Sequence, residues 1–122
     1  MITKFKSASI AELRKVCGAL PGATQDIKWG EVLVFSVGEK MFATTHTDVD
    51  NTFSFKVDHD RFLELTDRDG IIPAPYMARF KWVQISDPKR VSQEEAVELV
   101  KRSYQLVFAK LTKKMQMEIS HG

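Results

Sequence analysis

The spacing of hydrophobic residues changes several times along this chain, and each change marks a different element. Ile10, Leu13, Val16, Cys17 and Leu20 recur every three or four positions, which predicts a helix from about Ser9 to Leu20. Ser9 and Glu12 stand at capping-box spacing, and Pro21–Gly22 ends the element. A period closer to two follows. Residues 23–28 read as a first strand ending at Trp29–Gly30. Val32–Val37 and Met41–Thr47 read as two more, joined by a tight connection at Gly38–Glu39–Lys40. The clearest alternation is NTFSFKV (51–57), in which Phe53, Phe55 and Val57 face one way and Thr52, Ser54 and Lys56 the other.

Asp58 can cap a short helix over about 59–66, supplied with Phe62, Leu63 and Leu65. Gly70, Pro73 and Pro75 make 67–76 read as an ordered loop. Phe80–Ile85 reads as a strand with Phe80, Trp82 and Gln84 on one face and Lys81, Val83 and Ile85 on the other. The last helix has the strongest signals. Ser92 and Glu95 repeat the capping spacing, and Ala96, Leu99, Val100, Ser103, Leu106, Val107 and Lys110 form one stripe to about Leu111. Glu94, Glu95 and Glu98 at its start and bases at its end suit the helix dipole. Residues 112–122 read as a frayed tail. The order α-β-β-β-β-α-β-α predicts an α+β fold with an antiparallel sheet and helices packed on one face.

A length of 122 residues fits a single domain, 1–122, and a hydrophobic content of 43% is enough for one core. Net charge is only +2, unevenly distributed. Residues 1–20, 76–90 and 99–122 carry +3, +3 and +4, whereas 48–69 holds seven acids against three bases. Basic patches permit a polyanionic partner without requiring one. The single cysteine, Cys17, excludes an internal disulfide framework and falls on an apolar helical stripe, as a buried small hydrophobe would. No apolar run reaches the roughly 18 residues that span a bilayer, and the first residues lack a signal-peptide core. Cytoplasmic residence is therefore the expectation.

Several segments, in order, resemble the MmcQ/YjbR family of small bacterial proteins: LRKVCGALPG (13–22), IKWG (27–30), VGEKMFA (37–43), SFKVD (54–58), RFLELT (61–66), GIIPAPYMARFKWV (70–83) and RSYQLVFA (102–109). The resemblance implies a YjbR-like α+β fold and a DNA-binding role through a double-wing surface.

Such a role needs bases to neutralise phosphates and rings to stack on or wedge between bases. Tyr76, Arg79, Lys81 and Trp82 lie close together after a proline-stiffened loop. Lys40 sits at the hairpin connection, and Lys28 and Trp29 stand together before Gly30. These seven are the candidate nucleic-acid-binding residues, with duplex DNA as partner. Most also have a plain structural use: Trp82, with its neighbour Phe80, as core, Trp29 as a core plug, Lys40 as a solubilising tip, Arg79 and Lys81 as the outward phase of a strand; Tyr76, in a loop, is expected to be accessible. The alternative is a module that binds a protein, a homodimer partner or a small ligand through Phe42, Phe53, Tyr76 and Trp82. Enzyme readings find little support. His46, His59 and His121 lack metal-ligand spacing, the HTDVD run (46–50) is an ordinary polar connection, and no phosphate loop or nucleophile motif occurs. No cofactor and no catalytic residue is expected.

Overall fold

In the computed structural model, residues 5–47 and 51–121 are described. Helix α1 (Ile10–Ala19) leads into β1 (Ala23–Lys28), β2 (Val32–Val37), β3 (Lys40–His46) and β4 (Phe53–Lys56). A 3-10 turn over His59–Arg61 opens α2 (Phe62–Thr66). Then come β5 (Ile71–Pro73), β6 (Trp82–Ile85), α3 (Gln93–Phe108) and α4 (Lys113–His121). The strands form one antiparallel sheet in the order β1-β2-β3-β4-β6-β5.

One face of that sheet makes the core. Phe35, Ala43, Phe55 and Val83 are successive cross-strand partners, and Thr45, Phe53, Ile85 and Ile71 form the adjacent row. Both rows are buried against Leu13 and Cys17 of α1 and Ala96, Val100, Ser103 and Val107 of α3. Phe35 contacts both Phe42 and Phe53, and Tyr104 meets Phe42 edge-on with ring centroids 5.4 Å apart. Truncating Phe35, Phe42 or Phe53, each fully buried, to alanine costs about 3–5 kcal/mol, because the surrounding structure collapses only partly into the void.

A bulge sits at Phe42: Phe35 pairs with Ala43 while Ser36 pairs with Met41, leaving Phe42 as the extra residue. Ser103 satisfies the backbone groups beside it. Its hydroxyl donates to the Phe42 carbonyl at 2.6 Å and accepts from the Lys56 amide at 2.9 Å. A polar residue in the middle of an apolar helix stripe is thereby explained, and the end of β4 is held in place.

The structure corrects several sequence readings. The 67–76 loop contains β5, an outer strand on which Pro73 is tolerated because an edge leaves some amide positions unpaired. Phe80 belongs to a 3-10 turn (Ala78–Phe80), and Lys81 turns the chain at φ 64°, so the strand begins only at Trp82. The tail forms α4 instead of fraying. Gln116 Nε2 donates to the carbonyls of Phe108, Ala109 and Leu111, closing the end of α3. Asp58 makes no side-chain cap, because Arg102 holds its carboxylate through Nε at 3.0 Å and Nη2 at 2.8 Å. Both capping boxes are half-formed. Ser9 and Ser92 accept from the amides of Glu12 and Glu95, but the Ser9 amide donates to Gln93 and the Glu95 carboxylate binds Arg68.

Candidate nucleic-acid interface and sheet-face groove

Strand register divides the candidate residues between two ends of the sheet. Lys40 begins β3, Lys56 ends β4, and Trp82 pairs with Lys56, so these three lie at one end. Lys28 and Trp29 lie at the other, beside Val32 and His46, about 20 Å away along a seven-residue strand. Lys28 is exposed and lines neither cleft described below.

Two hairpin connections project from the Lys40 end. The first is Gly38–Glu39, with φ of 57° and 68°, the signs that a type I′ turn requires. Its inner side is not free, since Gly38 lies against Leu111 and Met115. The second is the excursion from 74 to 81 between β5 and β6, closed by the Ala74 amide donating to the Trp82 carbonyl at 3.0 Å. Two adjoining clefts lie at this end. One, about 690 Å³, is lined by Glu39, Lys40, Lys56, Phe80 and Lys110 among others. The next shares Lys56, Phe80 and Lys110 and adds Asp58, Arg79 and Lys81.

Five cations therefore surround two clefts whose lining acids are Glu39 and Asp58, and Arg102 already pairs with Asp58. Burial, and then the charge of Lys110, lower the Lys56 ammonium pKa from the usual 10.5. Lys81 is drawn back, with its ammonium 5.0 Å from the Phe62 ring centroid. Arg79 lies over Phe80, 4.8 Å from its centroid, and Phe80 is 49% exposed. Lys56 and Lys110 are the binding candidates that sequence reasoning missed. Lys56 sits in an acidic stretch and Lys110 at a helix end where bases are ordinary. Only the pairing of β4 with β6 and the packing of α3 bring them together.

Trp82 is 4% exposed, but it lies outside the core cluster beneath the helices. It points to the opposite face of the sheet, where it lines a groove of about 470 Å³ together with Trp29, Tyr76, Met41, Met77 and Ser54. Trp29 is 72% exposed and Tyr76 fully exposed, and both are non-glycine residues at positive φ, 51° and 65°. Of the seven candidates, Lys40, Arg79 and Lys81 meet at the basic clefts, whereas Trp29, Tyr76 and Trp82 meet at the groove. Met41, Met77 and Trp82 border both regions.

Other chemistry is limited. Cys17 is buried, and burial pushes its thiol up to about 12, so it stays protonated and unreactive. Among the described residues no three His, Cys, Asp or Glu side chains group as metal ligands. Asp48 and Asp50 of the HTDVD run fall outside the described residues. No helix among the described residues is long and apolar enough to cross a membrane.

A sheet covered by helices on one face, with a ring-lined groove on the other and basic hairpin ends, defines a small α+β protein with surfaces suited to binding. The YjbR family model matches residues 18–106, and the chain belongs to that family. The crystal structure of Deinococcus radiodurans protein DR2400, which carries the DUF419 domain, is similar at 30% identity and TM-score 0.83, covering 98% of this chain and 92% of that one. A Pseudomonas syringae protein shares the fold at 18% identity and TM-score 0.66, over 80% of this chain and 97% of that one. A comparison with the curated proteins finds no match.

Proposed function

We propose that this is a cytoplasmic, non-catalytic nucleic-acid-binding protein that engages duplex DNA with the Lys40 end of its sheet. The observation that carries this reading is the crowding of Lys40, Lys56, Arg79, Lys81 and Lys110 around two adjoining clefts with little acid to balance them. A phosphate between Lys56 and Lys110 relieves their mutual repulsion. The two hairpin connections supply the wings, and the exposed edge of Phe80 supplies an apolar contact beside Arg79.

If about four of these cations each neutralise one phosphate, affinity falls roughly a hundredfold between 50 and 200 mM salt. The measurement is fluorescence anisotropy of a labelled duplex of about 20 base pairs, two helical turns. The combined substitution Lys56→Ala and Lys110→Ala is expected to reduce the logarithmic salt slope by about two. A slope that stays the same in the double variant, or no complex even at the lowest salt, refutes the reading.

A further inference from the structure

The groove on the open sheet face has features that core packing does not account for. Trp29 and Tyr76 sit at its lips in left-handed backbone conformations, which cost an L-residue energy and which bulky side chains seldom adopt. Neither ring recovers that cost by burial. Trp29 is 72% exposed and Tyr76 has no contact that shields it. Two strained, exposed rings bordering one concavity are a platform for a flat ligand.

The lining also states the ligand's polarity. It is largely apolar, with Val32, Met41, Met77 and Trp82, and among the described residues no carboxylate or lysine lines it. Apart from His46, a charged ligand finds no ionic partner among the described lining residues, and an uncharged one leaves no charge stranded. The floor is a register row in which Thr44, Ser54 and Gln84 are neighbours. Gln84 Nε2 donates to Ser54 Oγ at 3.3 Å. That leaves the Ser54 hydroxyl proton to give, while Gln84 Oε1 accepts no hydrogen bond among the described residues. A donor and an acceptor side by side complement a cis-amide edge, in which N–H and C=O are adjacent.

We infer that this groove binds an uncharged planar heterocycle with a lactam edge, the chemistry of a uracil, thymine or hypoxanthine ring, stacked against Trp29 and Tyr76 and read by Ser54 and Gln84. Its volume of about 470 Å³ holds a single such ring with its sugar. The inference does not rest on the nucleic-acid reading, since the groove lacks the lysines on which that reading depends.

Both tryptophans line the groove, so ligand stacking is read directly from their fluorescence. Uridine and inosine are the probes, because they carry the amide edge and no phosphate. N3-methyluridine, whose amide edge is blocked, is the control. Saturable quenching with a dissociation constant of about 1 mM or tighter is expected. N3-methyluridine is expected to bind at least about tenfold more weakly, because its methyl group leaves the floor's polar groups unpaired. Tyr76→Gly removes the ring at a position where glycine suits the backbone, so the variant folds. It is expected to weaken uridine about tenfold or more. Quenching that rises without saturation, equal binding of uridine and its N3-methyl derivative, or unchanged affinity in Tyr76→Gly each overturns the inference. A protein that binds duplex DNA but not uridine loses this inference alone. One that binds uridine but not DNA loses only the nucleic-acid reading.

Discussion

Glu39 follows Gly38 in the β2–β3 turn, and its φ of 68° is a conformation that glycine adopts without cost and glutamate does not. Its carboxylate also lines the basic cleft with Lys40, Lys56 and Lys110. The two facts make one substitution informative twice. Glu39→Gly relieves backbone strain and is expected to raise unfolding free energy by about 0.5–1 kcal/mol, measured by urea denaturation. It also removes an acid from the cleft, so DNA affinity at fixed salt is expected to rise severalfold. Stabilisation without tighter binding would separate the turn from the interface. Lys81 obeys the same backbone logic with another result. Its left-handed turn breaks the alternation that FKWVQI suggests, so Phe80 is exposed and Lys81 reaches back to Phe62. Alternation correctly separates Trp82 from Val83 and Ile85 but does not say which face carries the helices.

Among the elements, α4 departs furthest from its sequence signal. KKMQMEISH is polar throughout except for Met115, Met117 and Ile119, so the segment reads as a tail. What holds it is contact with two glycines far away in sequence. Ile119 lies on Gly22, where a Cβ would come within 2.9 Å of it, and Met115 lies with Leu111 on Gly38, where a Cβ would come within 2.6 Å of Leu111 and 3.0 Å of Met115. Residues 112–121 thus cover both the end of α1 and the β2–β3 turn. Truncation after Leu111 removes the half-buried Met115 and Ile119, uncovers the surface around Gly22 and Gly38 on which they lie, and leaves the last carbonyls of α3 without Gln116. A loss of about 2 kcal/mol is expected. Calorimetry should show it as a fall in Tm of about 5–10 °C. An unchanged Tm would mean that the helix adds nothing to the fold.

At the scale of the whole molecule, two ion pairs fasten helices to distant segments. Arg68 grips Glu95 with both nitrogens, at 2.6 and 2.7 Å, joining the end of α2 to the start of α3, and Arg102 grips Asp58 from the middle of α3. The Arg68 hydrogen bonds hold the Glu95 carboxyl below its usual 4.5, and those of Arg102 hold Asp58 below 3.8. Both folded-state values are depressed, so the stability they contribute is present above the ordinary carboxylate range and lost as pH falls through the folded values. Urea midpoints are expected to be level from neutral pH down to about 5 and then to fall. Combining Glu95→Gln with Asp58→Asn should lower the neutral plateau and flatten the acid limb. An acid limb equally steep in the double variant would assign the pH dependence to other groups. The basic clefts and the ring-lined groove adjoin at Met41, Met77 and Trp82.

From its own order of residues the chain determines its periodicities. Helices α1 and α3 with their N-terminal serines, strands β1 to β4, the Phe53–Phe55–Val57 core phase and the α+β class all follow from local spacing, because side-chain direction in a helix or strand repeats with a fixed period. The segments that resemble the YjbR family are equally a property of the sequence. Tertiary structure alone decided the rest. Pro73 could join a strand because β5 lies at the sheet's edge, and α4 could form because two glycines elsewhere leave room for it. Lys56 met Lys110, and Trp29 met Tyr76 and Trp82 across one groove, because register and packing set proximity between residues that local spacing cannot relate.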